Sequence, residues 1–347
     1  MSHLYSNEIV FRGHPDKICD QISGAILNYC MTYDRKTRAG IEVLGGKNLI
    51  VVTGEVTSKA AIDDMIIKGI VRTVLEDVGI DEEEIAQYEI INNLGVQSAD
   101  IALGVDKDGA GDQGMMFGYA CRDTEEFLPT AMVILQRFAR GYDALRKEYP
   151  GLLFPDGKAQ ITGEYEGREL KKIKTFLVSY QNAETRRNFT DTLIKLLIHE
   201  IVGYYAIPIE KILINPTGKF LIGGFEGDAG LTGRKIVVDA YQSFANVGGG
   251  CMNGKDPTKV DFSAAHKARQ IAKQILIDNP DISWCEVQLS YAIGKAKPLA
   301  IYIETDMGSI VPSEELYEEC TPKRIINDLG LEYINFEELA KFGHFTS

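Results

Sequence analysis

Apolar residues return at helical spacing over Ile18, Ile22, Ile26 and Tyr29, which predicts a helix opening near Pro15. From residue 39 to 57 the pattern becomes extended: Ile41–Leu44 and Leu49–Val56 flank Gly45-Gly46, a hairpin with its turn at the glycines. By pattern alone Glu42 and Glu55 are solvent-facing strand residues. A second helix follows over Ile62–Val78, then an acidic turn at Asp81–Glu84 and a strand near Tyr88–Asn92. Residues 93–114 form a long polar, glycine-rich connection, and Met115–Ala120 reads as a strand. After Pro129 a helix runs to about Lys147. Strands are expected at 159–166 and 173–180, a helix at 186–204, and a strand from Ile214 towards Gly223. Ala264, Ala268, Ile271 and Ile275 mark a helix with Pro257 in its first turn and Asp256 as its cap. Strands at Cys285–Ala292 and Leu299–Glu304 and short helices complete the chain. Ile161-Thr162-Gly163-Glu164-Tyr165 echoes Val52-Thr53-Gly54-Glu55-Val56, which hints at repeated units. The class is α+β.

Composition narrows the function. At 347 residues the chain is long enough for two or three cored domains. No apolar run reaches membrane-spanning length, and Met1–Tyr5 lacks a basic-then-apolar signal. A net charge of −13 argues against broad nucleic-acid or anionic-membrane binding. The six scattered cysteines form no CxxC pair and read as free thiols, so cytoplasmic residence is the expectation.

Against that acidic background five glycine loops carry acids, and all but 109–114 also carry Lys or Arg: 13–17, 109–114, 155–158, 223–235 and 248–261. The last carries Lys255 and Lys259 with Asp256 and Asp261, ammonium groups for phosphate oxygens and hard carboxylates for a divalent metal. The first places His14, Asp16 and Lys17 at a helix start, with Lys17 read as a phosphate ligand. Two motif matches fail. Gly249–Lys255 lacks the Ser or Thr that a Walker A loop needs after its lysine, and Gly109–Gly114 runs into a strand instead of opening a helix. No kinase-type catalytic loop or G-x-S-x-G nucleophile is present. His199 and Trp284 read as packing or surface residues. Read alone, each loop is a solvated glycine turn. Together they fit an enzyme that grips a metal–triphosphate along its length.

The segments GHPDK (13–17), GAGDQG (109–114), INPTGKF (214–220), GDAGLTGRKIVVD (227–239) and GKDPTKVD (254–261) resemble the methionine adenosyltransferase, or S-adenosylmethionine synthetase, family. The likeness is collinear from Leu4 to Gly294, with Gly343-His344-Phe345 similar to the family's carboxy-terminal motif. It implies three structurally similar α/β domains with pseudo-threefold symmetry, here 1–98, 111–222 and 223–347, with a gating loop at 99–110. It also implies a homodimer whose active sites lie at the interface, with dimer against dimer-of-dimers left open. The implied reaction is attack of methionine sulfur on C5′ of ATP, followed by hydrolysis of the triphosphate. By resemblance, His14, Lys158, Arg234, Lys255 and Lys259 are catalytic. ATP contacts are His14, Asp156, Lys158, Thr217, Gly218, Lys219, Phe220, Asp228, Arg234, Lys235, Cys251, Lys255, Lys259 and Ile293. Glu55, Gln97, Asp112 and Asp228 match the methionine pocket. Asp16, Asp261 and Glu8 match Mg²⁺ ligands and Glu42 a K⁺ ligand. Four positions depart from the family: Arg12, Asn182, Val247 and Phe262 stand where it commonly has an acid, His, His and Arg. Loss of positive charge at 247 and 262 keeps a triphosphatase open as an alternative, and a non-catalytic nucleotide-binding subunit is a third reading.

Overall fold

A computed structural model describes residues 2–96 and 109–345. In chain order the strands are β1 (Ser2–Val10), β2 (Arg38–Gly46), β3 (Leu49–Thr57), β4 (Glu89–Gly95), β5 (Gly114–Cys121) and β6 (Leu153–Glu166). There follow β7 (Glu169–Asn182), β8 (Ile212–Ile214), β9 (Gly230–Leu231), β10 (Trp284–Tyr291), β11 (Ala300–Thr305) and β12 (Gly308–Ile310). They form three four-stranded sheets, ordered β4-β3-β2-β9, β1-β6-β7-β8 and β12-β11-β10-β5.

The first two sheets share one plan. An antiparallel hairpin (β2–β3, β6–β7) leads through a helix (Asp64–Val78, Arg187–Tyr204) to a strand parallel to the hairpin's second member (β4, β8). A parallel return needs a long crossover, and the helix supplies it. A strand from a distant segment then pairs antiparallel with the hairpin's first member, β9 in one sheet and β1 in the other. The third sheet is antiparallel throughout and takes β5 as its distant strand. Each sheet is therefore completed by residues that the chain order places elsewhere.

The helix Pro15–Tyr33 sits in the middle of the larger core, with Ile18, Cys19, Ile22, Ile26, Leu27 and Cys30 fully buried. Gly24 lets the helix Phe336–Phe342 approach, since a side chain there would meet the backbone of Glu337. A second core lies between β1-β6-β7-β8 and the helices Thr130–Glu148 and Arg187–Tyr204. All six cysteines are free. Among the described residues no helix is long and apolar enough to cross a membrane.

Several local expectations need correction. The hairpin turn is Lys47-Asn48, with Lys47 at φ 44°, and Gly45-Gly46 belong to β2. Gly45 is glycine because the Phe225 ring occupies the space of its Cβ. Residues 154–158 are the bulged opening of β6, not a turn, with the register shifting between Leu153 and Gly157. The strand expected to run to Gly223 stops at Ile214. There Asn215 turns to φ 40°, and its amide bonds both backbone groups of Tyr180. The helix Val260–Asp278 opens three residues beyond Pro257. Asp256 is spent on Thr258 and on the Ala39 N–H. The echoed pentapeptides fall on non-equivalent strands, β3 and β6, so they mark no repeat.

Candidate active site

One cluster grows around the start of the helix Pro15–Tyr33. Phe11 N donates to Gly157 O at 2.9 Å and Gly13 N to Pro155 O at 3.2 Å. A Cβ at Gly13 would collide with Pro155, so only glycine lets this loop lie on the β6 bulge that carries Asp156 and Lys158. From the other side Gly230 packs on the Pro15 carbonyl, and Leu231 N donates to Asp16 Oδ1 at 2.9 Å. Lys235 Nζ lies 2.6 Å from Asp16 Oδ2, and Arg234 Nε lies 3.5 Å from Oδ1. Together the lysine hydrogen bond, the Leu231 amide and nearby charge hold the Asp16 carboxyl below its usual range despite burial. Asp156 is 7% exposed and accepts Gly224 N at 2.9 Å. Burial raises its pKa to about 6, with Asp228 adding to the effect and Lys158 opposing it.

His14 is lowered to about 4, first by burial and then by Lys235 and Lys158, with Asp16 and Asp228 opposing. Asp16 N donates to His14 Nδ1 at 3.2 Å. The Nδ1 lone pair is thereby used, and the neutral ring carries its proton on Nε2. This is a neutral donor under the charges of Lys235 and Lys158, with Arg234 paired to Asp16.

A second cluster lies at the other end of β2. Gly40 bridges to Lys255, and Ile41 N donates to Gly254 O at 2.9 Å. Lys255 Nζ is 2.5 Å from Asp261 Oδ2, and Lys259 Nζ is 3.6 Å from Glu55 Oε1. Gly250 lies against the Asp261 carboxylate, and the Gly114 position faces it at 3.8 Å, so loops 109–114 and 248–261 meet here. Asp112 is exposed at the foot of β5 and accepts Gln113 N at 2.7 Å. Glu42 is raised by burial and by Glu55, with Lys255 opposing. Leu231 pairs Leu44 near the first cluster and Gly40 pairs Glu55 in the second, a separation of about 14 Å along the strand.

The remaining expected residues sit around these clusters. Thr217–Phe220 form a turn in which Gly218 takes φ 90° and Phe220 O accepts Asn182 N at 2.9 Å. The chain then returns through Gly223 and Gly224 to Asp156. Lys219 is exposed, 3.8 Å from Glu184. Cys251 is half-buried beside Gly233, and burial pushes its thiol up, so it is no ready nucleophile. Glu8 is exposed on β1 opposite Gln160, two positions from the Val10–Lys158 pair. Ala110 exchanges hydrogen bonds with Gly294 and Lys295, which brings exposed Ile293 beside Gly109 and Ala110. Gln97 and residues 97–108 lie outside the described residues.

Lys17 is not a phosphate ligand. It is buried, 2.7 Å from Asp239 and 3.1 Å from Asp20. Sequence reasoning missed Asp20, Asp239 and Asn253; the signal was Asp20, one helical turn after a lysine on a buried face. Three of the four departures are structural. Arg12 is buried, donates to Gln21 at 3.0 Å and pairs with Asp77 at 2.5 Å and Asp143 at 3.6 Å, tying three helices together. Asn182 is buried and bonded to Asn215. Phe262 is fully buried against Phe336, His266 and His344, directed into the core and away from Lys255 and Asp261. The triphosphatase alternative thereby loses the support of position 262. Val247 packs half-buried beside Gly248, which lies on the Met115 carbonyl.

Residues 2–99, 107–220 and 222–347 match the N-terminal, central and C-terminal domains of S-adenosylmethionine synthetase. The chain is 41% identical to an S-adenosylmethionine synthase of Finegoldia magna over 368 residues, covering 98% of this chain and 93% of that protein. It is 39% identical to those of a Nocardioides species over 373 residues and Treponema denticola over 369, in each case covering 99% of this chain and 93% of the relative. Those spans exceed 347, so the relatives carry residues with no counterpart here.

Proposed function

The chain belongs to the S-adenosylmethionine synthetase family and is a methionine adenosyltransferase acting on ATP and methionine; from that premise we propose which residues carry the reaction and that two copies of the chain build each site. The sulfur lone pair of methionine attacks C5′ as the C5′–O bond breaks, and its electron pair leaves with the triphosphate, which water then splits. A thioether needs no general base, so catalysis rests on alignment and on neutralising the leaving group.

His14, as a neutral Nε2–H donor, bonds the oxygen that departs from C5′. Lys158, Arg234 and Lys235 line one side of the triphosphate, and Lys255 and Lys259 the other. Asp156 with the 217–220 turn and Cys251 hold the nucleoside end, with Ile293 at the pocket wall. Glu55, Asp112, Asp228 and Gln97 hold methionine. Among the described residues no three His, Cys, Asp or Glu side chains converge, so these residues alone make no metal cage. Asp16 and Asp261 instead stand beside ammonium groups. That donor set fits Mg²⁺ arriving with phosphate and taking one or two carboxylates, with Glu8 nearby and Glu42 as a K⁺ ligand. Bound Mg²⁺ would supply further neutralisation of the leaving charge. Cytoplasmic residence accords with the free thiols.

The observation that carries the two-copy reading is the outer face of β4-β3-β2-β9. Leu231, Leu44, Val51 and Ile91 stand in register as one row across the sheet, and three of them are more than a third exposed. Glu42 and Thr53 form the next row and Glu55 the one after. An apolar row beside charged site residues supports burial against a second copy. The test is complementation. His14→Ala and Lys259→Ala should each lose orders of magnitude in rate while remaining folded. Mixed one to one, their heterodimers hold one intact site each and should recover roughly a quarter of wild-type activity. Full activity in Lys259→Ala, or no recovery on mixing, would refute the assignment.

A further inference from the structure

In the proposed dimer each site takes one cluster from each copy, so the separation of the two clusters within a copy sets how both sites line up, and one buried chain of hydrogen bonds connects those clusters. Lys17 Nζ reaches Asp239 Oδ1 at 2.7 Å. Asp239 Oδ2 accepts from Asn253 Nδ2 at 3.1 Å, and Asn253 Oδ1 lies 2.8 Å from His344 Nε2. His344 N donates to Asp239 O at 2.8 Å, and Asp20, the second partner of Lys17, accepts Gly233 N at 2.9 Å. Lys17, Asp239, Asn253 and His344 are each no more than 5% exposed.

The direction of this chain is fixed. An ionised Asp239 only accepts, so the Asn253 amide nitrogen must face it, its carbonyl must face His344, and the proton sits on His344 Nε2. Every joint is set by its neighbour. The three segments it joins carry the proposed machinery. Lys17 follows Asp16, Asp239 and Gly233 bracket Arg234 and Lys235, and Asn253 stands two residues before Lys255.

We infer that Asn253 and His344 are positioning residues for adenosyl transfer: through Asp239 and Lys17 they hold the 250–255 loop in register with the 14–17 and 233–235 segments. They touch neither substrate in the proposed site, and although Asn253 lies in the 248–261 loop, neither residue was singled out from the sequence as a ligand. The inference rests on the proposed site, so its test is run beside His14→Ala.

His344→Leu removes the donor. His344→Gln keeps an amide nitrogen near the Nε2 position, whereas His344→Asn moves it to the Nδ1 position. Asn253→Ala cuts the same chain from the other side. We expect His344→Leu, His344→Asn and Asn253→Ala each to lower kcat about 10- to 100-fold, the penalty for misplacing reacting groups by about 1 Å, with smaller changes in KM for ATP and methionine. His344→Gln should stay within about threefold of wild type, and the double variant His344→Leu/Asn253→Ala should be no slower than the worse single one, because both cut one link. Unfolding midpoints establish that each assayed variant is folded. Should His344→Leu not fold, the Gln-against-Asn comparison decides. Equal activities of the Gln and Asn variants, or additive losses in the double variant, overturn the inference. A His14→Ala variant with undiminished activity would instead overturn the site reading on which it rests.

Discussion

Two adjacent glycines of the phosphate loop give a sharp test of the second cluster. A methyl at Gly250 would sit within 2.5 Å of both carboxylate oxygens of Asp261, where ordinary contact begins at 3.4 Å. At Gly249 nothing lies within 4 Å, and its φ lies outside the left-handed region. In Gly250→Ala the carboxylate must retreat by about 1 Å, which pulls it from Lys255 at 2.5 Å and from the metal position proposed for it. A shift of that size costs about 100-fold in kcat. The retreating atoms end a side chain that reaches solvent, so unfolding free energy should change by no more than about 1 kcal/mol. Gly249→Ala should retain activity and gain at most about 1 kcal/mol of stability through the unfolded chain. Steady-state formation of S-adenosylmethionine, with urea unfolding in parallel, reads both. Wild-type kcat in Gly250→Ala, or an equal loss in Gly249→Ala, would refute the account of Asp261.

His14→Gln, which keeps a neutral donor near the Nε2 position, should retain far more activity than His14→Ala, whose loss should be about 100- to 1000-fold. Since the ring stays neutral in the folded protein down to about pH 4 while the unfolded His protonates below 6.5, His14 withdraws stability as pH falls through that window, and the rate profile should show no break near 6.5 on its account. Asp156 has the opposite sign. Its folded pKa, about 6, exceeds the unfolded 3.8, so its contribution is present below 3.8 and lost as pH rises to about 6. Asp156→Asn, which keeps an oxygen for Gly224 N–H, should therefore unfold at higher urea than wild type at pH 7, by up to about 3 kcal/mol. Equal stability there would remove the desolvation argument.

Much of this was legible in the chain. Helix positions followed from i, i+4 repeats such as Ile18–Ile22–Ile26, and the glycine loops announced local positive charge in an acidic protein. What escaped was set by contacts between distant segments. Nothing near Lys17 says that Asp239 will neutralise it, and Gly45-Gly46 looks like a turn until Phe225 is seen above it. Phe262 read as charge lost from a cleft because sequence carries no facing; its helix places Asp261 towards the lysines and Phe262 in the core. The bulge at Asp156 was invisible because a run of Phe, Pro, Asp and Gly suits a turn equally well.

The lending of β1, β5 and β9 between sheets also bears on biogenesis. On the ribosome β2 emerges long before residues 230–231 exist to cover its edge, and at usual elongation rates the wait is about 10 s or more. β5 likewise waits for β10, and β1 for β6. Until β8 at Ile212–Ile214 is made the nascent polypeptide presents bare strand edges, so no fragment ending before residue 214 is expected to complete any of the three sheets, and closure should come late and cooperatively.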